Sequence, residues 1–144
     1  MNEAGYALRS ARVSSLARPR AGRRVALASV LWAFVAGNAA NRTNAKGLAL
    51  FRTVYPGWYQ GRTVHIHVKV HLGGNVLHTG QLYFPDTVTD AVYRKAPYTS
   101  RPNRDVRNTA DSIYRNGGKR SQVKVTKNSA GVYVASIVMG VHRT

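Results

Sequence analysis

The sequence predicts an all-β protein, an antiparallel β-sandwich over residues 45–144 that is incomplete on its N-terminal side. Three observations carry this expectation. Residues Thr63 to Val70 alternate strictly, with Val64, Ile66, Val68 and Val70 on one face and Thr63, His65, His67 and Lys69 on the other, the period of a half-buried strand. The chain closes on two β-prone runs around a Lys127-Asn128-Ser129-Ala130-Gly131 turn, a hairpin signature. Between these lie short apolar runs separated by Gly, Pro and Asn, with no internal repeat, the pattern of sandwiches and barrels.

The elements follow in order. Asn44-Ala45-Lys46-Gly47 is a turn, and Leu48 to Val54 is β-prone until Pro56-Gly57 breaks it. The strand of Thr63–Val70 ends before Gly73-Gly74-Asn75, and a second strand runs from Val76 to Phe84, stopped by Pro85-Asp86. Thr87 to Tyr93 suits at least one helical turn, with Thr87 or Asp86 as N-cap. Residues 97–119 are polar and arginine-rich with two prolines and two glycines, which predicts a long surface loop. Gln122–Thr126 and Val132–Val141 form the closing hairpin.

Residues 1–44 differ in kind. Of the 22 lysines and arginines, eight fall within 1–46, with Glu3 the only acid there. The Arg/Ala/Ser composition and the uncharged run Val25–Ala36 superficially suit an export signal. The charged part is too long and the small-residue site at Gly37-Asn38-Ala39-Ala40 too loose, so a basic extension outside the fold is the preferred reading. A cytoplasmic location goes with it, with export as the alternative.

Composition narrows the chemistry. The 144 residues suit one domain with its own core. The absence of cysteine excludes disulfides, thiolate metal sites and cysteine nucleophiles. Five carboxylates give little material for paired-acid catalysis or for a Ca or Mg site. No apolar run reaches the roughly 20 residues that span a bilayer.

The segment that carries chemistry is Thr53–His67, reading Thr53-Val-Tyr55-Pro-Gly-Trp-Tyr59-Gln-Gly-Arg62-Thr-Val-His65-Ile-His67. Histidines at i and i+2 of a strand point the same way, with Cβ atoms roughly 6–7 Å apart, so both imidazoles reach one metal ion. Taken alone, the His-x-His pair better suits two hydrogen-bonded surface histidines, Arg62 a solvated arginine and Gln81 a polar strand residue. Tyr55 and Tyr59 upstream change the balance, because phenolate with imidazole, and neither thiolate nor carboxylate, favours a hard metal such as Fe(III).

These residues resemble the intradiol ring-cleavage dioxygenases of the catechol and protocatechuate type. The resemblance rests on T-V-x-P-G-x-Y followed by R-x-x-H-I-H, and continues through Thr79-Gly-Gln81-Leu-Tyr-Phe84 and Asp86 to Tyr93. It covers the C-terminal part, about Asn44 to Val141. It implies a sandwich fold, a non-haem Fe(III) centre, O2 and a catechol-type aromatic substrate, in the catabolism of aromatic compounds. On this resemblance Tyr59, His65 and His67 are metal ligands, Tyr59 being the tyrosine that leaves the metal when substrate binds. Arg62 steadies the anionic substrate, and Gln81 is the glutamine behind the histidines. Tyr55 stands where the family does not require tyrosine. The family's first tyrosine ligand lies upstream, where residues 1–40 offer only Tyr6. Their composition is what an altered reading frame would give, so the expectation is a truncated chain with weak iron binding and slow catalysis.

Two other readings stand beside this one: a non-catalytic remnant of the family, and a basic nucleic-acid-binding module. The net charge of +17, with arginines at 94, 101, 104, 107 and 115 among Tyr93, Tyr98 and Tyr114, suits the latter. No nucleic-acid-binding motif accompanies them, and no nucleic-acid partner is expected. A homo-oligomer is left open.

Overall fold

The structure is a computed structural model and describes residues 11–13, 27–30 and 39–141. Among the described residues, nine short strands and two short helices make a β-rich fold. The strands are β1 (Ala11–Val13), β2 (Leu27–Val30), β3 (Ala39–Arg42), β4 (Leu48–Ala49), β5 (His65–Leu72), β6 (Asn75–Tyr83), β7 (Lys124–Lys127), β8 (Tyr133–Ser136) and β9 (Val138–Met139). The helices are α1 (Asp86–Tyr93) and α2 (Ser112–Arg115). They form three sheets, ordered β3-β2-β5-β6, β4-β1-β9 and β7-β8. All pairings are antiparallel except β1 with β9, so the sheets are shorter and less uniform than the alternation predicts. None of the described helices is long and apolar enough to cross a membrane.

The β5–β6 hairpin is the spine. Its register runs from His65 opposite Tyr83 to Leu72 opposite Asn75. Gly73 and Gly74 supply the positive φ angles of 58° and 87° that its two-residue turn needs. The other edge of β5 pairs with β2 from Lys69 to His71, Ala28 opposite Val70, so this stretch is an inner strand. The expectation that residues 1–44 stand outside the fold falls mostly on residues that are not described. The strands described there, β1, β2 and β3, pair with one another or with strands of the remainder.

Val64, Ile66, Val68 and Val70 face a core completed by Leu82, Phe84, Val92, Tyr93, Val123 and Tyr133. Burying an aliphatic side chain of this kind contributes about 1.5–3 kcal/mol, and it fixes which face of β5 turns inward.

Three expectations change. The strand over Leu48–Val54 shrinks to two residues, since Asn41 Nδ2 donates to the Leu50 carbonyl at 2.7 Å and the chain beyond carries no ladder. Helix α1 begins after Pro85, with no side-chain cap from Asp86 or Thr87. The region 97–119 is not a plain surface loop. It holds 3-10 turns at Tyr98–Ser100, Asn108–Ala110 and Gly118–Ser121 as well as α2, and it buries Asn108, Asp111 and Tyr114.

Candidate metal centre

The approach to β5 is a tight turn. Arg62 N donates to the Tyr59 carbonyl at 3.3 Å, and Gly61 adopts φ 80°. That is the third position of a turn whose backbone suits glycine. Tyr59 and Arg62 therefore stand opposite each other across an isolated bridge, at the mouth of the strand that bears the histidines. Upstream the turn is stapled by aromatics. Tyr93 Oη donates to the Pro56 carbonyl at 3.1 Å and accepts from Trp58 N at 2.7 Å. Trp58 Nε1 donates to the Arg101 carbonyl at 2.8 Å.

On β5 and β6 the register places His65 opposite Tyr83 and His67 opposite Gln81, so these four side chains share one face. His65 Nδ1 lies 2.7 Å from the Thr63 carbonyl. A carbonyl only accepts, so Nδ1 carries the proton and Nε2 bears the lone pair. Around that lone pair crowd Tyr59 Oη and His67 Nε2, each at 3.2 Å. Burial first, then the charge of Arg62, keeps both imidazole pKa values below the ordinary histidine range. The Thr63 carbonyl opposes this at His65. Neutral imidazoles are the ligand form.

Behind Arg62 stands Asp111, whose side chain is wholly buried. Its carboxylate accepts from Arg62 Nε at 2.7 Å, Thr63 N at 3.0 Å and Tyr114 N at 2.9 Å. Burial opposes its charge, but Arg62 and the two backbone donors prevail and hold its pKa below the usual carboxylate value. Asn108 adds a second tie, accepting from Thr63 Oγ1 at 2.7 Å and donating to the Phe84 carbonyl at 2.8 Å. This region is fastened to α1 by Arg104, which is 6% exposed and pairs with Asp86 at 2.7 Å and Asp90 at 2.8 Å. The fourth described carboxylate, Asp105, accepts from Gly61 N at 2.7 Å. Arg62 Nη2 donates to Gln81 Oε1 at 2.6 Å, and Tyr83 Oη donates to the same oxygen at 2.7 Å. Burial, then the Asp111 charge, pushes the Tyr83 pKa up to about 12 against the pull of Arg62.

The structure thus brings together Tyr59, Arg62, His65, His67 and Gln81. Tyr55 stays apart, 2% exposed, with its hydroxyl on Thr89 Oγ1 at 2.7 Å. Tyr6 lies outside the described residues. Sequence reasoning passed over Asp111, Asn108 and Tyr83. A carboxylate was a signal in a chain this poor in acids, and Tyr83 falls on the Gln81 face by simple alternation. The face expected to be merely polar is in fact covered at its Thr63–His65 end, where both residues are buried.

Among the described residues no three His, Cys, Asp or Glu side chains cluster as a metal site, so a centre here depends on phenol oxygen. The donor set fits a cation. Two potential donor groups contend for one His65 lone pair, whereas a cation would accept electron pairs from all three atoms. Separations of 3.2 Å match donors that share a centre about 2.1 Å away.

No family model matches this sequence, and no curated protein does. Solved structures do match. An intradiol ring-cleavage dioxygenase from Tetranychus urticae superposes with TM-score 0.82 at 22% identity, covering 97% of this chain and 84% of that one. A second dioxygenase gives TM-score 0.82 at 23% identity over 97% and 83%. The dioxygenase domain of a dioxygenase and carbohydrate-binding protein fusion from Streptomyces sp. SirexAA-E gives 0.63 at 28% over 96% and 82%. The likeness reaches well beyond the C-terminal part that carries the motifs. The described residues of this chain take the fold of the intradiol ring-cleavage dioxygenases.

Proposed function

We propose that this chain is a non-haem Fe(III) dioxygenase that inserts O2 into a catechol-type ring between its hydroxyl-bearing carbons, on sheets that close as a sandwich. The observation that carries the proposal is the convergence of Tyr59 Oη, His65 Nε2 and His67 Nε2 within 3.2 Å contacts, beside an arginine held by a buried carboxylate.

Tyr59, His65 and His67 would hold the metal. Ferric iron, when bound, supplies a Lewis acid that draws the catechol oxygens and readies the ring for O2. The protein supplies the rest. Tyr59 is 39% exposed at the start of a turn, and as the phenolate that would hold the metal its oxygen would take a proton from an incoming catechol hydroxyl. His65 keeps its Nδ1 proton on the Thr63 carbonyl, which holds the ring in its ligand tautomer. Arg62 remains charged at any working pH. With Nε on Asp111 and Nη2 on Gln81, it faces developing negative charge from a fixed position, which is what makes such a group effective. Two imidazoles and one phenolate hold a cation less firmly than a set with a further phenolate. Protons therefore compete harder, and the proposal includes weak iron binding and slow turnover.

The test is a ferric titration of the purified chain followed by oxygen uptake with catechol. A visible tyrosinate-to-iron absorption band that Tyr59→Phe abolishes, together with one O2 consumed per ring opened, is expected. A colourless protein at saturating iron sinks the proposal.

A further inference from the structure

The amide of Gln81 is gripped by two donors. A guanidinium has no acceptor, so the atom 2.6 Å from Arg62 Nη2 is the amide oxygen. The Tyr83 hydroxyl, 2.7 Å from the same oxygen, must donate as well. Flipping the amide therefore breaks two hydrogen bonds, one of them charge-assisted. The NH2 group is left on the face that Gln81 shares with its cross-strand partner His67.

Tyr83 has little freedom to let go. Its side chain is buried, and its carbonyl accepts from Val123 N at 2.8 Å. Its ring meets that of Tyr114 edge-on at 5.2 Å. A Cβ on Gly118 would stand 2.6 Å from ring atom Cε2, so only glycine allows the chain to pass so close.

We infer that Tyr83 is a positioning residue acting through Gln81: with Arg62 it fixes the amide so that its NH2 group, not its oxygen, meets the substrate oxygens bound beside His65 and His67. This deepens the dioxygenase reading and rests on it. A rotating amide presents its carbonyl oxygen part of the time and repels an anionic substrate oxygen; a fixed one always donates. The second grip matters because Arg62 also serves the substrate. When the fixed guanidinium shares its donors with substrate charge, Tyr83 still holds the amide.

Tyr83→Phe tests this, since it removes one oxygen and keeps the packed ring. The first measurement uses metal-free protein: the 1H-15N heteronuclear NOE of the Gln81 side-chain NH2, assigned through its loss in Gln81→Leu. It should report a rigid amide in the parent chain and a mobile one in Tyr83→Phe. The second is a double-mutant cycle on kcat. Tyr83→Phe should lower kcat about 3–10-fold, the worth of one neutral hydrogen bond, with KM nearly unchanged. In a Gln81→Ala background it should change nothing further. An amide equally rigid in both proteins, or equal losses in both backgrounds, overturns the inference. No catechol cleavage in any variant would strike the dioxygenase reading alone, and the NOE would still decide whether Tyr83 locks the amide.

Discussion

The two ends of the β5–β6 hairpin carry the same residue type with opposite outcomes. At one end His65 and His67 share a face with Gln81 and Tyr83, and residues 108–118 reach Thr63, Arg62 and Tyr83 from outside the hairpin. At the other end stand His71 and His78. The register shifts between Val70 and His71, so that Val70 faces His78 while His71 faces Val76. The bulge leaves these two histidines on opposite faces, and no single ion can meet both. On the proposed reading, what would make a histidine a ligand here is the face it shares, with a carbonyl fixing the tautomer at His65, not its presence on the hairpin.

The sharpest way to break this contrast is at the histidines themselves. His65→Ala and His67→Ala should each abolish ferric binding in a titration followed at the tyrosinate band, while His71→Ala and His78→Ala keep it. Equal loss from all four would erase the difference between the ends.

Next in size is the carboxylate behind the covered end. Asp111→Ala strands the Arg62 guanidinium and Thr63 N, and should cost roughly 3–5 kcal/mol in urea unfolding, as for a broken buried pair. The lower part of that range is expected because Arg62 is 20% exposed. The sign with pH follows from the lowered Asp111 pKa. Its stabilisation is present above the unfolded carboxylate pKa of about 3.9 and is lost as pH falls through the lower folded value. Thermal unfolding between neutral pH and pH 2 should show a steep acid limb in the parent chain and a shallower one in Asp111→Asn.

Smaller effects sharpen the contrast. Asn108→Ala leaves the Phe84 carbonyl without its side-chain donor, and should cost about 1–3 kcal/mol in the same unfolding assay. Thr79→Ala, towards the open end, should fall within about 0.5 kcal/mol. Smallest is Arg107→Ala. Its side chain is 56% exposed beside Asp90, so about 0–1 kcal/mol is expected. A larger loss there would mean the tie to α1 rests on Arg107 rather than on the less exposed Arg104.

How far the sequence could be read follows the same division. The shared His65/His67 face was legible from strand alternation, whereas Arg62, Tyr59 and Gln81 were singled out by the resemblance of the local motif; the structure brings these side chains together. Asp111 and Asn108 were not, since they reach Thr63 across 48 and 45 residues. No local period reports such a contact. Their segment is polar and arginine-rich, which predicts solvent, yet Asn108 and Asp111 are buried by pairing with Arg62, Thr63 and backbone groups. The β-rich character was visible, but the parallel β1–β9 pairing was not. A three-residue strand leaves no periodic trace, and its partner lies more than a hundred positions away.

The inward use of acid has an effect far from any contact. Of five carboxylates in the chain, the described four are bound to arginines or to the Gly61 amide, and five carboxylates cannot balance 22 lysines and arginines. The molecule therefore projects a field of nearly one sign, net +17. Such a field would shorten the search of the proposed anionic aromatic substrate for the protein, and dissolved ions blunt it over a Debye length of roughly 10 Å at 0.1 M. Rising ionic strength should slow the encounter, seen as a falling kcat/KM, and leave kcat, which reports events after capture, where it was.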